Sequence, residues 1–289
     1  MKRKTLSALL AGFAATAMFA SSGAATGTVM YDSVPDPLPP SVSALRYGSV
    51  LELGQVIFPE TTGPLASVTV TMQSSACEYE GLNPWNCRSW PTSDGSLPTY
   101  DHPITISLYE LGEQEWGAPV GDLIGSVTQM VAVPYRPSAD VTCGGDWLRP
   151  DGRCGSAYAF NVTFDFTSED VTLPEAFVVG VAYEHSTNSE LEPGPYDKLW
   201  FGWDFSWAES TPEVGDRGAR YVKESDLWGT PQLRYQGGEG LEGLLIRFEA
   251  TPSGPVTADD CKAGGFAQYG FTNQGQCVSS VNASENAGK

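Results

Sequence analysis

The sequence predicts an all-β fold, an antiparallel two-sheet sandwich of jelly-roll or immunoglobulin-like kind, followed by a small disulfide-closed module at the C-terminal end. Apolar and polar residues alternate with a period of two in many short segments after residue 50. The chain between these segments is rich in turn formers, since it contains 32 Gly and 21 Pro in all. No long stretch shows the period of an amphipathic helix.

The first 25 residues have the pattern of a signal peptide. Lys2, Arg3 and Lys4 form a basic start, residues 6–19 are apolar and uncharged, and the small residues 22–25 offer a cleavage site. The apolar run is shorter than the roughly 20 residues that a transmembrane helix needs. We therefore expect a secreted, extracellular bacterial protein with a cleaved Sec-type signal and no membrane insertion after cleavage.

The mature chain is strongly acidic. Cleavage removes three of the 16 basic residues and none of the 35 acidic ones, so the net charge changes from −19 to −22. Such a charge repels nucleic acid and anionic membranes, and we expect neither as a partner. Solubility outside the cell explains this charge most simply, and a requirement for calcium is the alternative.

One sandwich domain is expected over residues 26–252. Its clearest strand is residues 158–166, where Tyr158, Phe160, Val162, Phe164 and Phe166 share one face and polar residues share most of the other. Further strands are predicted at residues 51–58, 68–73, 104–109, 123–133, 177–183, 199–207 and 244–250.

The character of the chain changes after the sandwich. Residues 253–256 have the composition of a linker, and residues 257–281 form a small module bounded by two cysteines. Its glycines and aromatic residues predict a tight hairpin or turn. Residues 282–289 are polar and are expected to be a disordered tail.

The six cysteines are even in number and follow an export signal, which favours disulfides over metal thiolates. Six cysteines allow 15 pairings, but their spacing favours three local pairs. These are Cys77 with Cys87, Cys143 with Cys154, and Cys261 with Cys277. A zinc site would need paired CxxC spacing and nearby histidines, and the chain has only two His.

Three long connections are predicted to emerge at the same end of the sandwich, because successive strands run antiparallel. They comprise residues 77–100, 135–156 and 185–198, and we call them the rim. Two of them contain a cysteine pair. Long ordered loops on a rigid scaffold often carry function.

The rim contains residues suited to a carbohydrate, since a flat ring can stack on a sugar while carboxylates bind its hydroxyls. The alternative is that each tryptophan covers a disulfide or closes the end of the sandwich. The candidate ligand contacts are Trp85, Trp90, Trp147, Tyr196, Asp146 and Asp151.

Calcium is a candidate structural ion at the second rim loop. Asp140, Asp146 and Asp151 lie in glycine-rich turns, and calcium takes six to eight oxygen ligands. No EF-hand spacing is present, and acidic residues of this kind also occur simply as turn formers.

A row of aromatic residues, Phe201, Trp203, Phe205 and Trp207, shares one face of the strand predicted at 199–207. Such a row is typical of a core. Trp200 and Asp204 on the opposite face are a weaker alternative for a ligand site on the sheet.

The C-terminal motif Asp-Asp-Cys-Lys-x-Gly-Gly-Phe at 259–266, with Phe-x-Asn-Gln-Gly-Gln-Cys-Val at 271–278, resembles a short terminal motif of secreted bacterial proteins. Other stretches, such as His-Pro-Ile-Thr-Ile-Ser-Leu-Tyr at 102–109 and Pro-Tyr-Arg-Pro-Ser-Ala-Asp at 134–140, resemble uncharacterised secreted β-sandwich proteins, mostly of high-GC Gram-positive bacteria. The resemblance covers most of the mature chain. It implies a fold and no catalytic or binding residues.

Three functions are consistent with these patterns. The leading hypothesis is a non-catalytic secreted or cell-surface protein that binds carbohydrate or another surface component through the rim. A carbohydrate-active hydrolase using a carboxylate pair is the first alternative. A structural or adhesive extracellular protein is the second, and no catalytic residue can be assigned.

Overall fold

The computed structural model describes residues 28–45, 50–79, 87–112, 120–183, 198–204, 212–225, 231–235, 243–251, 254, 258–269 and 271–287. The chain groups into two units. One spans Gly27–Pro252 and contains the strands, and the other contains Ser253–Lys289.

The first sheet is built around a long central strand. It consists of β1 (Val29–Asp32), β2 (Ala44–Leu45), β4 (Gly63–Ser74), β9 (Tyr158–Asp165), β10 (Thr172–Leu173), β12 (Leu199–Asp204), β15 (Gly243–Leu244) and β16 (Ile246–Ala250). Strand β4 pairs with β9 along one edge and with β16 and β12 along the other. β1 pairs with β16, and β2 and β15 pair with β12.

The second sheet has the order β14-β13-β3-β11-β5-β6. Its strands are β3 (Val50–Phe58), β5 (Thr99–Leu111), β6 (Val120–Pro134), β11 (Phe177–Tyr183), β13 (Asp216–Ser225) and β14 (Pro231–Tyr235). The pairs in both sheets are antiparallel. A short ribbon is formed by β7 (Trp147–Leu148) and β8 (Cys154–Gly155).

One hydrophobic core lies between the two sheets. The alternating residues Val68, Val70 and Met72 of β4 are buried in it. Across the core, the rings of Phe177 in β11 and Phe248 in β16 meet edge to face with centroids 5.1 Å apart. The predicted antiparallel two-sheet sandwich is therefore confirmed.

The strand predicted at 158–166 shows how the pattern specifies the packing. Val162, Phe164 and Phe166 are buried, whereas Asn161 and Thr163 are exposed. A one-residue slip would expose the phenylalanines, so this face fixes the register of β9 against β4.

The three disulfides predicted from cysteine spacing are present, as Cys77–Cys87, Cys143–Cys154 and Cys261–Cys277. Disulfides persist in oxidising compartments, so they fit an extracellular protein. Within the described ranges, no helix has the length and apolar character needed to cross a bilayer.

The C-terminal unit differs from the expected hairpin and disordered tail. It contains a 3-10 helix, Gly265–Tyr269, and an α-helix, α1 (Gln274–Ala287). The disulfide packs with Val281 and with partly buried aromatic residues to form a small core.

Local capping explains why α1 begins where it does. The side-chain oxygen of Asn273 accepts a hydrogen bond from the backbone N–H of Gln276 at 2.9 Å. The side chain of Gln276 reaches back and accepts from the hydroxyl of Thr272 at 2.6 Å. This reciprocal cap satisfies groups that a helix start would otherwise leave unpaired.

Candidate functional site

The strand registers place the three long connections together. Ser74 at the end of β4 pairs with Tyr158 of β9 and with Leu199 of β12. In the other sheet, Thr99 of β5 lies opposite Pro134 of β6. The connections that leave these ends are residues 75–98, 135–157 and 184–198. The strand ends that flank these connections therefore lie at one end of the sandwich, as predicted.

Hydrogen bonds join the first and second rim loops. The backbone N–H of Arg136 donates to the carbonyl of Ala76 at 2.8 Å. The hydroxyl of Ser138 accepts from the backbone N–H of Ser89 and donates to the carbonyl of the same residue, each at 3.0 Å. The two loops are thus held against each other by backbone groups and by the Ser138 hydroxyl.

Of the third rim loop, the structure describes Lys198. Its carbonyl accepts hydrogen bonds from the backbone N–H of Ser75 at 2.9 Å and from the Ser75 hydroxyl at 3.2 Å. The end of the third loop therefore contacts the start of the first. Trp85 and Tyr196, two of the candidate ligand contacts, lie outside the described residues.

Two aromatic side chains of the first loop face solvent. Trp90 is 57% exposed and Tyr79 is 58% exposed. Tyr79 and Arg88 form an antiparallel bridge, and Glu78 accepts from the backbone N–H of Trp90 at 3.0 Å. The backbone positions of Tyr79 and Trp90 are therefore held by these hydrogen bonds, close to the disulfide between Cys77 and Cys87.

Trp147 does not form a ligand platform, which corrects one candidate contact. Its side chain is only 5% exposed. The indole N–H donates to the carbonyl of Ala157 at 3.1 Å, and the ring packs near Tyr158 with centroids 5.9 Å apart. The indole closes the end of the sandwich beneath the rim.

Asp140 and Asp151, two of the three candidate calcium ligands, are engaged by their own loop. Asp140 accepts from the hydroxyl and the backbone N–H of Thr142, which lowers the pKa of its carboxyl. Asp151 accepts from the backbone N–H of Arg153 and forms ion pairs with Arg149 and Arg153 at 2.7 and 2.8 Å. These contacts lower the pKa of Asp151 to about 2.

The third candidate, Asp146, contributes through its backbone. Its carbonyl accepts from the N–H of Asp140 at 2.8 Å, and its N–H donates to the carbonyl of Cys143 at 3.1 Å. Across the described part of the chain, no three His, Cys, Asp or Glu side chains are grouped closely enough to hold a metal ion.

Another rim carboxyl, Asp94, lies in a turn of the first loop. It accepts from the hydroxyl of Thr92 and from the backbone and hydroxyl of Ser96, which lower its pKa to about 2. A general acid in glycoside hydrolysis needs a raised pKa. The shifts at Asp94, Asp140 and Asp151 run in the opposite direction.

The second rim loop exposes two apolar side chains that the sequence analysis did not select. Val141 is 92% exposed at a turn, and Leu148 extends outward beside buried Trp147. The sequence pattern did not identify them, because a single apolar residue in a polar loop predicts neither burial nor exposure. Together with Trp90 and Tyr79, they give the described part of the rim four exposed large apolar side chains.

The alternative site on β12 is only partly described. Phe201 is buried in the core, as predicted, and Trp200 on the opposite face is half-buried. Phe205 and Trp207 lie outside the described residues, as do the side chains of Trp203 and Asp204. The rim remains the better supported candidate.

Comparisons of this chain with models of protein families, with curated proteins and with solved structures find no match.

Proposed function

We propose that this chain is a secreted or cell-surface protein that binds a carbohydrate or another surface component at the rim, without catalysing a reaction. The observation that carries the proposal is the pair of exposed rings in the first rim loop, Tyr79 between the disulfide-bonded Cys77 and Cys87, and Trp90 just after Cys87. Exposure of a large indole to water is unfavourable, and a ligand that buries the ring lowers the free energy.

The described part of the rim suits binding because hydrogen bonds hold its backbone. Hydrogen bonds link the first loop to the second and to the start of β12, and two disulfides close the loops. A ligand that meets a fixed surface does not have to order the loop on binding, which lowers the entropy cost of the complex.

Secretion through a cleaved signal peptide is part of the proposal. The basic start followed by an apolar run supports it, and so do the three disulfides. An oxidising compartment is also where a binding surface closed by Cys77 and Cys87 would keep its shape.

The experiment is thermal unfolding of the oxidised mature protein against a panel of oligosaccharides, with calcium and with a chelator. A ligand of the native state raises the midpoint. Trp90→Ala should abolish that rise, and Trp90→Phe should keep part of it. Phe58→Ala is the matched control, because Phe58 is an exposed aromatic residue at the opposite end of the sheet.

The outcomes separate binding from a purely structural role. A midpoint that rises for one sugar class and depends on Trp90 supports the proposal. No rise with any sugar, repeated by a glycan array without a signal, would argue that the rim has no carbohydrate ligand. A rise that survives Trp90→Ala would place the ligand elsewhere on the chain.

A further inference from the structure

The outer edge of β6 carries no strand among the described residues. β6 is the last strand of the second sheet, paired with β5 on one side. Its 15 residues, Val120–Pro134, include one ionisable side chain, Asp122. Natural sheets usually protect a long edge with lysines, prolines or a covering loop, because its free N–H and C=O groups can pair with another strand.

Two large apolar residues are exposed on this strand. Leu123 is 58% exposed and Met130 is 62% exposed. They share one face of the sheet because the register shifts between them: Leu123 pairs with Tyr109, whereas Gly125 pairs with Leu108. In a regular strand, two residues seven positions apart point to opposite faces. The extra residue of the bulge brings Leu123 and Met130 onto the same face.

We propose that the outer edges of β6 from two copies of this chain pair antiparallel around a two-fold axis at Val127. With the bulge counted as one position, Leu123 and Met130 are equally distant from Val127. Leu123 of each copy then lies opposite Met130 of the other. A two-fold contact uses the same patch twice, so it closes at a dimer and does not continue as a filament.

In the same register, polar residues nearer the axis lie opposite polar residues of the other copy. The hydroxyls of Ser126 and Ser107 lie 3.1 Å apart, and those of Thr128 and Thr105 lie 2.8 Å apart. In the dimer, Ser126 of one copy lies opposite Thr128 of the other. The row of paired hydroxyls on this face of the sheet would therefore continue across the interface.

Charge favours this edge over other parts of the surface. Two copies of the mature chain, each with a net charge of −22, repel each other, and the repulsion is smallest where neither surface is charged. In the proposed register Asp122 lies opposite Val131, so the two carboxylates do not meet.

The first test is sedimentation equilibrium of the oxidised mature protein over a concentration series. A strand edge is smaller than the roughly 1,200–2,000 Å² of a standard interface, so we expect a weak, reversible dimer. Leu123→Lys and Met130→Lys should each keep the protein monomeric. Val141→Lys, a lysine at an exposed rim position, should leave the dimer intact.

A wild-type protein that stays monomeric at every concentration would overturn the proposal. So would a dimer that survives Met130→Lys, or one that Val141→Lys abolishes, since the latter would place the contact at the rim. Assemblies larger than a dimer would contradict two-fold closure.

A crosslinking experiment tests the register itself. Leu123→Cys and Met130→Cys are prepared separately, and the two variants are mixed under mild oxidation. A disulfide-linked dimer should form in the mixture and not in either variant alone. In a dimer of one variant, the two introduced cysteines, one in each copy, lie about 20 Å apart along the strands. Equal crosslinking in a single variant would show that the strands pair in a different register.

Discussion

The hydroxyl of Tyr109 on β5 donates a hydrogen bond to the carboxyl of Glu52 on β3, at 3.1 Å. Tyr221 on β13 donates to the other carboxyl oxygen. Glu52 is buried on the face of the second sheet that points away from the core, beside an apolar cluster that includes Val178. One acidic side chain thus links three strands of this sheet.

We expect Glu52→Gln to destabilise the sandwich. A glutamine cannot accept equally from both hydroxyls, and a buried hydrogen bond to a charged group contributes about 1.5–3 kcal/mol. Urea unfolding should show a lower midpoint with an unchanged slope. Glu110→Gln, an exposed acid on β5, is the control. Equal midpoints for the two variants would mean that the Glu52 contacts contribute nothing.

Gly180 lies directly beneath this carboxyl. A Cβ atom at Gly180 would lie 2.5 Å from the nearer carboxyl oxygen of Glu52 and 2.7 Å from the hydroxyl of Tyr221. Gly180→Ala should therefore cost about 1–3 kcal/mol, the usual cost of overpacking. Gly254→Ala, where the new methyl meets no atom within 4 Å, should change stability little. Equal urea midpoints would show that Glu52 moves aside without cost.

Alkaline pH should unfold the sandwich through its tyrosines. Burial raises the pKa of Tyr31 from 10.0 to about 12. Burial and the neighbouring Glu52 carboxyl also raise the pKa of Tyr109 and of Tyr221. A raised pKa favours the protonated phenol in the fold, so this stabilisation is complete below pH 10 and is lost as the pH rises through the folded values.

Absorbance of tyrosinate during a pH titration checks this expectation. We expect a first group of tyrosines near the ordinary pKa of about 10, then a later group that ionises together with loss of the near-ultraviolet circular dichroism. Tyr31→Phe should shrink the later group. If all 12 tyrosines ionised in one step while the fold persisted, the buried phenols would not be protected.

The fold was predictable where a local pattern is tied to one structural outcome. The alternation at residues 158–166 specified a strand with one buried face, and the local cysteine spacing specified the disulfides. Strand β13 was not predicted, because Asp216–Ser225 is rich in charged residues and shows no alternation. That segment is a strand because β3 and β14 pair with its backbone, a long-range condition.

The candidate site was predictable in position and less so in detail. Antiparallel strand order was sufficient to place the rim at one end. The exposure of each tryptophan was not predictable, because Trp147 is buried by a hydrogen bond to the carbonyl of Ala157 and by the ring of Tyr158. Trp90, in an equally polar loop, has its backbone held and its ring exposed.

Removal of the first disulfide should loosen the rim and leave the sandwich folded, because Cys77 and Cys87 lie outside the main core cluster. Closing a loop of this size contributes about 2–3 kcal/mol in the chain-entropy model. For the variant Cys77→Ser with Cys87→Ser, we expect a lower urea midpoint and unchanged far-ultraviolet circular dichroism. Trypsin should then cut after Arg88, which is exposed and directly follows Cys87.

Mass spectrometry of the fragments identifies that cut, and Cys261→Ser with Cys277→Ser is the control, since that disulfide belongs to the other unit. The control should leave Arg88 as resistant as in the wild type. If the variant without Cys77 and Cys87 resisted trypsin at Arg88 as well as the wild type does, the disulfide would not be what orders this part of the chain. The hydrogen bonds between Ser89 and Ser138 would then be sufficient to order it.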